Sequence, residues 1–225
     1  MQVTELIGST VRILAVLCLG TYLGARADGE FGRAQGIAAF ESERLADTHA
    51  ASSRIQDAAT LKPNQSRWSP GRIAAWRESQ AAASQAPLGL LRLPDVDLVA
   101  PVYIGTGELA LNRGLGWIEG TSPPGESGNV GIAGHRDGFF RALQDVARGD
   151  VVELVIPDST LRYRIDSTVV VDPDAVHVLA PTDSSVLTLV TCYPFYYVGH
   201  APRRYIVRAR LERSGPDPLQ CVSAN

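Results

Sequence analysis

A chain of 225 residues suits one domain of ordinary size with appendages. Its 21 basic against 24 acidic residues give a net charge of -3 with no long block of like charge, which argues against a nucleic-acid partner. Three cysteines are an odd number, so at least one thiol has no disulfide partner within the chain.

The N-terminus carries the first element. Ile13 to Ala25 (ILAVLCLGTYLGA) holds no charge, and Leu6 to Val11 extends the apolar run if Arg12 is tolerated. A membrane span needs ~20 apolar residues, whereas a shorter core followed by small residues such as Ala25-Arg26-Ala27 reads as a cleavable signal peptide. The sequence fits both an anchor and a cleaved leader over residues 1–27. Arg12 before the run, with Asp28 and Glu30 after it, orients the N-terminus inside and the rest of the chain outside.

Residues 28–86 are rich in Ala, Ser, Arg and Gln and poor in large apolar side chains, the composition of a helical stalk or linker. Ser69-Pro70-Gly71-Arg72-Ile73-Ala74-Ala75-Trp76 within it has a helix-start pattern: a serine cap, proline at the first helical position, then Ile73 and Trp76 on one side. Those two side chains either dock the helix on the following domain or make it a lid over a site.

From 87 to 213 the chain changes to short β-prone runs broken by Gly and Pro. Strands are expected at Gly89–Leu93, Leu98–Ile104, Val130–Ala133, Val151–Ile156, Arg162–Val171, Val186–Thr191 and Tyr205–Leu211, with a helical turn at Glu108–Leu115. This spacing belongs to an all-β sandwich or barrel. Residues 214–225 read as a disordered tail.

The chemistry concentrates in three positions. Cys192 lies in LTLVTCYPF, 57 residues after His135 in GNVGIAGHRDGFF and 12 before Arg204 in APRRYIV. A thiol needs a base or cation to become a nucleophile, and the oxyanion formed when it attacks a carbonyl needs a positive or hydrogen-bonding partner. The chain offers one candidate for each role. Cys18 in the apolar segment and Cys221 in the tail are no obvious disulfide partners for Cys192. Alternation along Tyr205–Leu211 puts Tyr205, Val207, Ala209 and Leu211 on one apolar face and Arg204 on the other; the same parity along Val186–Cys192 puts Cys192 with the outward residues. Arg203, expected to precede the strand, competes with Arg204. Thr191, Tyr193 and His200 are secondary candidates for substrate contact. His177 and His200 otherwise read as loop histidines.

These segments carry a family resemblance. TLVTCYPF, NVGIAGHRD and APRRYIV, supported by PVYIGTGELALNRGLGWIEGTSPPGESGN, GDVVEL and VLAPT, resemble the sortases, and class D among them, over about Leu88 to Leu211. The resemblance implies an eight-stranded sortase barrel with short helices, preceded by the hydrophobic helix and stalk, with Cys192 ending the seventh strand and Arg204 opening the eighth. It implies a membrane-anchored, extracytoplasmic transpeptidase with Cys192 as nucleophile, His135 as acid and Arg204 on the oxyanion. The implied substrates are surface proteins with a C-terminal LPXTG-like signal cut after threonine. The acceptor would be an amine of a cell-wall peptide or protein lysine, with hydrolysis as a side reaction. Some relatives bind calcium near the residues equivalent to Asp166, Asp172, Asp174 and Asp183, but these lack the regular ligand spacing of a calcium loop. No metal site, cofactor or phosphate-loop motif is expected.

Two other readings meet the same residues. A cysteine L,D-transpeptidase would have an SHGC-type motif, which TCYPF lacks, and a papain-like protease would have cysteine before histidine. A catalytically silent, membrane-tethered β-domain serving as a scaffold would not need all three chemical positions filled.

Overall fold

The computed structural model describes residues 48–50, 52–57, 63–82, 85–196 and 199–212. The expected anchor at 1–27, the first part of the stalk (28–47) and the expected tail at 214–225 lie outside the described residues. Among the described residues no helix is long and apolar enough to cross a membrane.

Eight strands form a closed barrel: β1 (Gly89–Leu93), β2 (Leu98–Ile104), β3 (Leu115–Trp117), β4 (Asn129–Gly134), β5 (Val151–Ile156), β6 (Ser159–Val171), β7 (Val186–Tyr193) and β8 (Arg203–Leu211). Around the barrel the order is β1, β2, β3, β4, β7, β8, β6, β5, closed by pairing of β5 with β1. Two neighbouring pairs are parallel, β2 with β3 and β4 with β7. A parallel pair needs a crossover, and that of β4 to β7 is the whole β5–β6 hairpin and its connections.

Strand alternation makes the core. Val130 and Ile132, Val152 and Leu154, Leu187 and Leu189, and Val207 and Ala209 all point inward, each at most 1% exposed. Phe139, Phe140 and Leu143 from the 3₁₀ segment Phe139–Asp145 add to the same cluster. Pro101 sits inside β2 without cost. The Val102 carbonyl accepts from Leu88 on the β1 side, so Pro101 presents its missing donor toward β3, and pairing with β3 starts only at Val102.

Several elements differ from the expectation, β6 starting at Ser159 and β7 running on to Tyr193 rather than ending at Cys192. The expected helical turn ends at Arg113 as helix α2 (Glu108–Arg113), and Leu115 opens β3, a strand the periodicity does not reveal. With three residues, one of them glycine, LGW shows no alternation. Glycine is required beside it: a Cβ on Gly114 would stand 2.3 Å from the Pro101 carbonyl oxygen. The eighth strand opens at Arg203 rather than Arg204, because Arg203 already pairs with Tyr193.

Helix α1 (Pro70–Ala81) begins where the cap pattern places it, with the Ser69 hydroxyl accepting from Arg72 N–H at 3.2 Å. Trp76, together with Trp68, packs against the barrel core. The helix C-terminus is held by Arg113 of α2, whose Nε donates to the Ser79 carbonyl at 2.7 Å and whose Nη2 donates to that of Ala82.

Candidate active site

The site rests on strand register. In the parallel pair of β4 and β7, Gly134 lies opposite Thr191. One step further along both strands come His135 and Cys192. In the antiparallel pair of β7 and β8, Cys192 lies opposite Arg204, and Arg204 in turn lies opposite Val171 of β6. Cys192 and Arg204 are therefore paired on adjacent strands about 5 Å apart, and His135 follows the last residue of β4 at the same end of the sheet.

Parity sends them outward. Leu189 and Thr191 point into the barrel, so Cys192 points out; Val207 is in the core and Tyr205 packs against it, so Arg204 points out. A Cβ on Gly134 would collide with Leu115 and Phe140 at 2.6–2.8 Å, so that position faces the interior and His135 takes the opposite side. The same absence of a side chain lets the Phe140 ring pack against β4 at Gly134.

Cys192 is a free, half-buried thiol. His135 is half-buried, and its Nε2 is enclosed without a hydrogen-bond partner. Burial, then the Arg72 guanidinium, push its pKa below the ordinary 6.5, against the opposing pull of Asp137 and Glu108. Arg204 donates through Nη1 to the carbonyls of Arg203 at 3.1 Å and Ala201 at 3.4 Å, which folds the guanidinium back over the entry to β8. Arg203 turns to solvent and lies 3.7 Å from Asp172.

The secondary candidates divide differently. Thr191 is 2% exposed and its hydroxyl donates to the Gly134 carbonyl at 2.7 Å, a rung that ties the ends of β4 and β7 together one residue before His135 and Cys192. Tyr193 points inward, stacked on Tyr205 at 6.1 Å and edge-on to Phe195 at 5.9 Å. His200 is exposed in the connection between β7 and β8. Neither hydroxyl, of Thr191 or of Tyr193, is on the face that Cys192 presents.

Several residues that shape the site were not singled out from sequence. Arg136, next to His135, donates to the carbonyls of Pro194 at 3.2 Å and Gly199 at 2.9 Å. Arg141 donates to Phe195 at 2.7 Å and lies 4.2 Å over the Tyr196 ring. Two arginines thus hold the β7–β8 connection against the exit of β4. On the outer face lower down, buried Asn129 donates to the carbonyls of Val178 and Ala180 and accepts from the Thr188 hydroxyl, fastening the β6–β7 connection over β4 and β7. A charged HRDG turn and a lone asparagine look like solvated loop in a sequence; only the pairing of distant segments gives them roles. Asp166 accepts from Arg210 at 2.6 Å, and among the described residues no three His, Cys, Asp or Glu side chains converge on a metal position.

Comparison with known proteins decides the family. The family described as Sortase domain matches residues 91–212, more than half of the chain, and takes in all three candidate residues. The chain belongs to the sortase family. It is similar to Sortase D of Bacillus subtilis (strain 168), 30% identical over 177 residues, covering 76% of this chain and 89% of that one. Among solved structures it is similar to a lid mutant of Sortase A from Corynebacterium diphtheriae, with TM-score 0.57 and 26% identity over 80% of this chain and 99% of that one. A Clostridium perfringens Sortase D5 transpeptidase shares the fold, with TM-score 0.54 and 21% identity over 74% of this chain and 99% of that one. Class D likeness and transpeptidase chemistry are thus properties of the family to which this sortase belongs.

Proposed function

We propose that this sortase cuts an LPXTG-like C-terminal sorting signal after threonine and passes the acyl group to an amine through a Cys192 thioester. The observation that carries the reading is the pairing of Cys192 with Arg204 on β7 and β8, with His135 directly following β4 where Gly134 pairs with Thr191.

The arrangement suits acyl transfer atom by atom. The Cys192 thiolate adds to the threonine carbonyl, forming a C–S bond and an oxyanion that the Arg204 guanidinium stabilises; a guanidinium has five N–H donors, so its bonds to local carbonyls leave donors for the oxyanion. Collapse of the adduct breaks the C–N bond, and the His135 imidazolium gives its proton to the departing amine. The acceptor amine then attacks the thioester, imidazole takes its proton, and the thiolate leaves. Water in place of the amine gives hydrolysis. The depressed pKa of His135 means that the imidazole is mostly neutral at pH 7, so only the minor population holding thiolate and imidazolium together is competent.

We also propose that residues 1–27 remain as a membrane anchor with the barrel outside, and that the acceptor is a cell-wall peptide amine or a protein lysine. The Arg12, Asp28 and Glu30 charge pattern supports that orientation. Protease added to intact spheroplasts should remove the barrel from the membrane fraction; full protection of the chain contradicts the topology. For the chemistry, the full-length chain incubated with an LPXTG-like peptide and an amine should show an acyl-enzyme mass and a transfer product. Both should vanish in Cys192→Ala, and transfer persisting in that variant overturns the proposal.

A further inference from the structure

His135, Arg136, Asp137 and Gly138 form one tight turn, closed by Gly138 N–H donating to the His135 carbonyl at 3.1 Å. Asp137 and His135 are therefore held in a single unit. Both carboxylate oxygens of Asp137 are taken by the start of α1: Oδ1 accepts from Arg72 Nε at 3.1 Å and Oδ2 from the Ser69 hydroxyl at 3.1 Å. Arg72 also donates to Asn112 of α2. Its stem runs over the turn, since a Cβ on Gly138 would lie 3.4 Å from both Cγ and Cδ of Arg72 and 3.6 Å from Cβ of His135. The ion pair is largely shielded, with side chains 17% and 31% exposed.

We propose that Arg72 and Asp137 are positioning residues of opposite sign for the catalytic imidazole: α1 brings a cation to His135, and the turn brings the anion that offsets it. The proton donor is thereby coupled to the docking of the helix that leads into the barrel. This rests on the reading of His135 as the acid. Burial and Arg72 both disfavour the imidazolium, while Asp137 and Glu108 favour it, so the net charge around the ring depends on this pair being complete. The charged groups that act on His135 are Arg72 from α1, Glu108 from α2 and Asp137 from its own turn; Arg136 shares that turn, and Cys192 and Arg204 lie on the neighbouring strands β7 and β8. Arg136 is turned away to the carbonyls of Pro194 and Gly199. Asp137 stays ionised in this setting, because Arg72 and the Ser69 hydroxyl outweigh the burial that opposes its charge and hold its carboxyl below the ordinary range.

The test uses the fact that breaking a clamp from either side has one mechanical effect but two electrostatic ones. Arg72→Met leaves the Asp137 anion beside the ring, whereas Asp137→Asn leaves the Arg72 cation. The His135 ring protons, followed by NMR in the full-length chain in detergent and assigned by their loss in His135→Gln, should titrate at higher pH in Arg72→Met and at lower pH in Asp137→Asn. The double variant should fall between them, and Arg72→Lys should stay near the parent. The acid limb of kcat/KM should move the same way as the ring titration in each variant. Shifts in one common direction, or none, overturn the inference and reduce the pair to a mechanical clamp. If the ring shifts as described but His135→Gln still transfers, the assignment of His135 as the acid is what fails.

Discussion

Thr191 and Cys192 are neighbours with opposite duties. Cys192 faces out, while the Thr191 hydroxyl faces in and bonds the Gly134 carbonyl, fixing the two strand ends next to the thiol and the imidazole. Thr191→Val should lower unfolding free energy by about 0.5–1.5 kcal/mol, the ordinary net value of such a bond. It should lower kcat with little change in KM, since the rung orders the reacting groups and touches nothing in front of them. Thr191→Ser should restore both; equal loss in the serine variant would mean that packing of the methyl, not the rung, matters. The two adjacent arginines separate by the same geometry. Arg204→Ala should lower kcat/KM by the equivalent of ~2–4 kcal/mol, the range for losing an oxyanion donor. Arg204→Lys should recover part of it, because the planar fork is gone. Arg203, exposed beside Asp172, should cost little on conversion to alanine. A larger loss from Arg203 than from Arg204 would place the oxyanion on the other arginine.

Helix α1 is fastened at both ends, by Asp137 at its start and by Arg113 at its last carbonyls. Arg113 is 6% exposed, so Arg113→Met keeps volume but removes charge-assisted bonds worth roughly 1.5–3 kcal/mol each when buried. Amide exchange in the last turn of α1 should accelerate in that variant while β7 and β8 keep their protection; uniform acceleration would mean that Arg113 supports the whole barrel instead. The sequence was legible where periodicity is strong. The Ser69-Pro70 cap marks the start of α1, and alternation marks β5, β7 and β8 because each has one face in the core. It fell silent at LGW, too short to alternate, and at Arg72 and Asp137, charged residues 65 positions apart whose partnership exists only once α1 lies against the turn. Cys192, His135 and Arg204 stood out because few side chains can do nucleophilic chemistry, whereas Asn129 and Thr188 do backbone-fastening work that any polar pair in a sequence would suggest equally.

Acidification should weaken the molecule in two stages. His135 has a folded pKa below its ordinary 6.5, so the unfolded chain takes up a proton first as pH falls. Stability then drops between 6.5 and the lower folded value. Asp137 has a folded pKa below its ordinary 3.8, so its contribution is full above that value and is lost as pH falls through the folded one. Urea midpoints from pH 8 to 3 should decline in both windows, and His135→Gln should flatten only the upper one; an unchanged upper window would show that another group titrates there.

The parallel pairing of β4 with β7 reaches further than geometry. His135 and Cys192 lie 57 positions apart, and the chain between them carries the β5–β6 hairpin, which pairs with β1 on one side and β8 on the other. Contacts between such remote segments form late and slowly. A chain in which β4 and β7 have not yet paired has no imidazole held beside its thiol. On the proposed chemistry, closing the barrel is also a safety catch, since it is what brings the thiol, the imidazole and the guanidinium to one end of the fold.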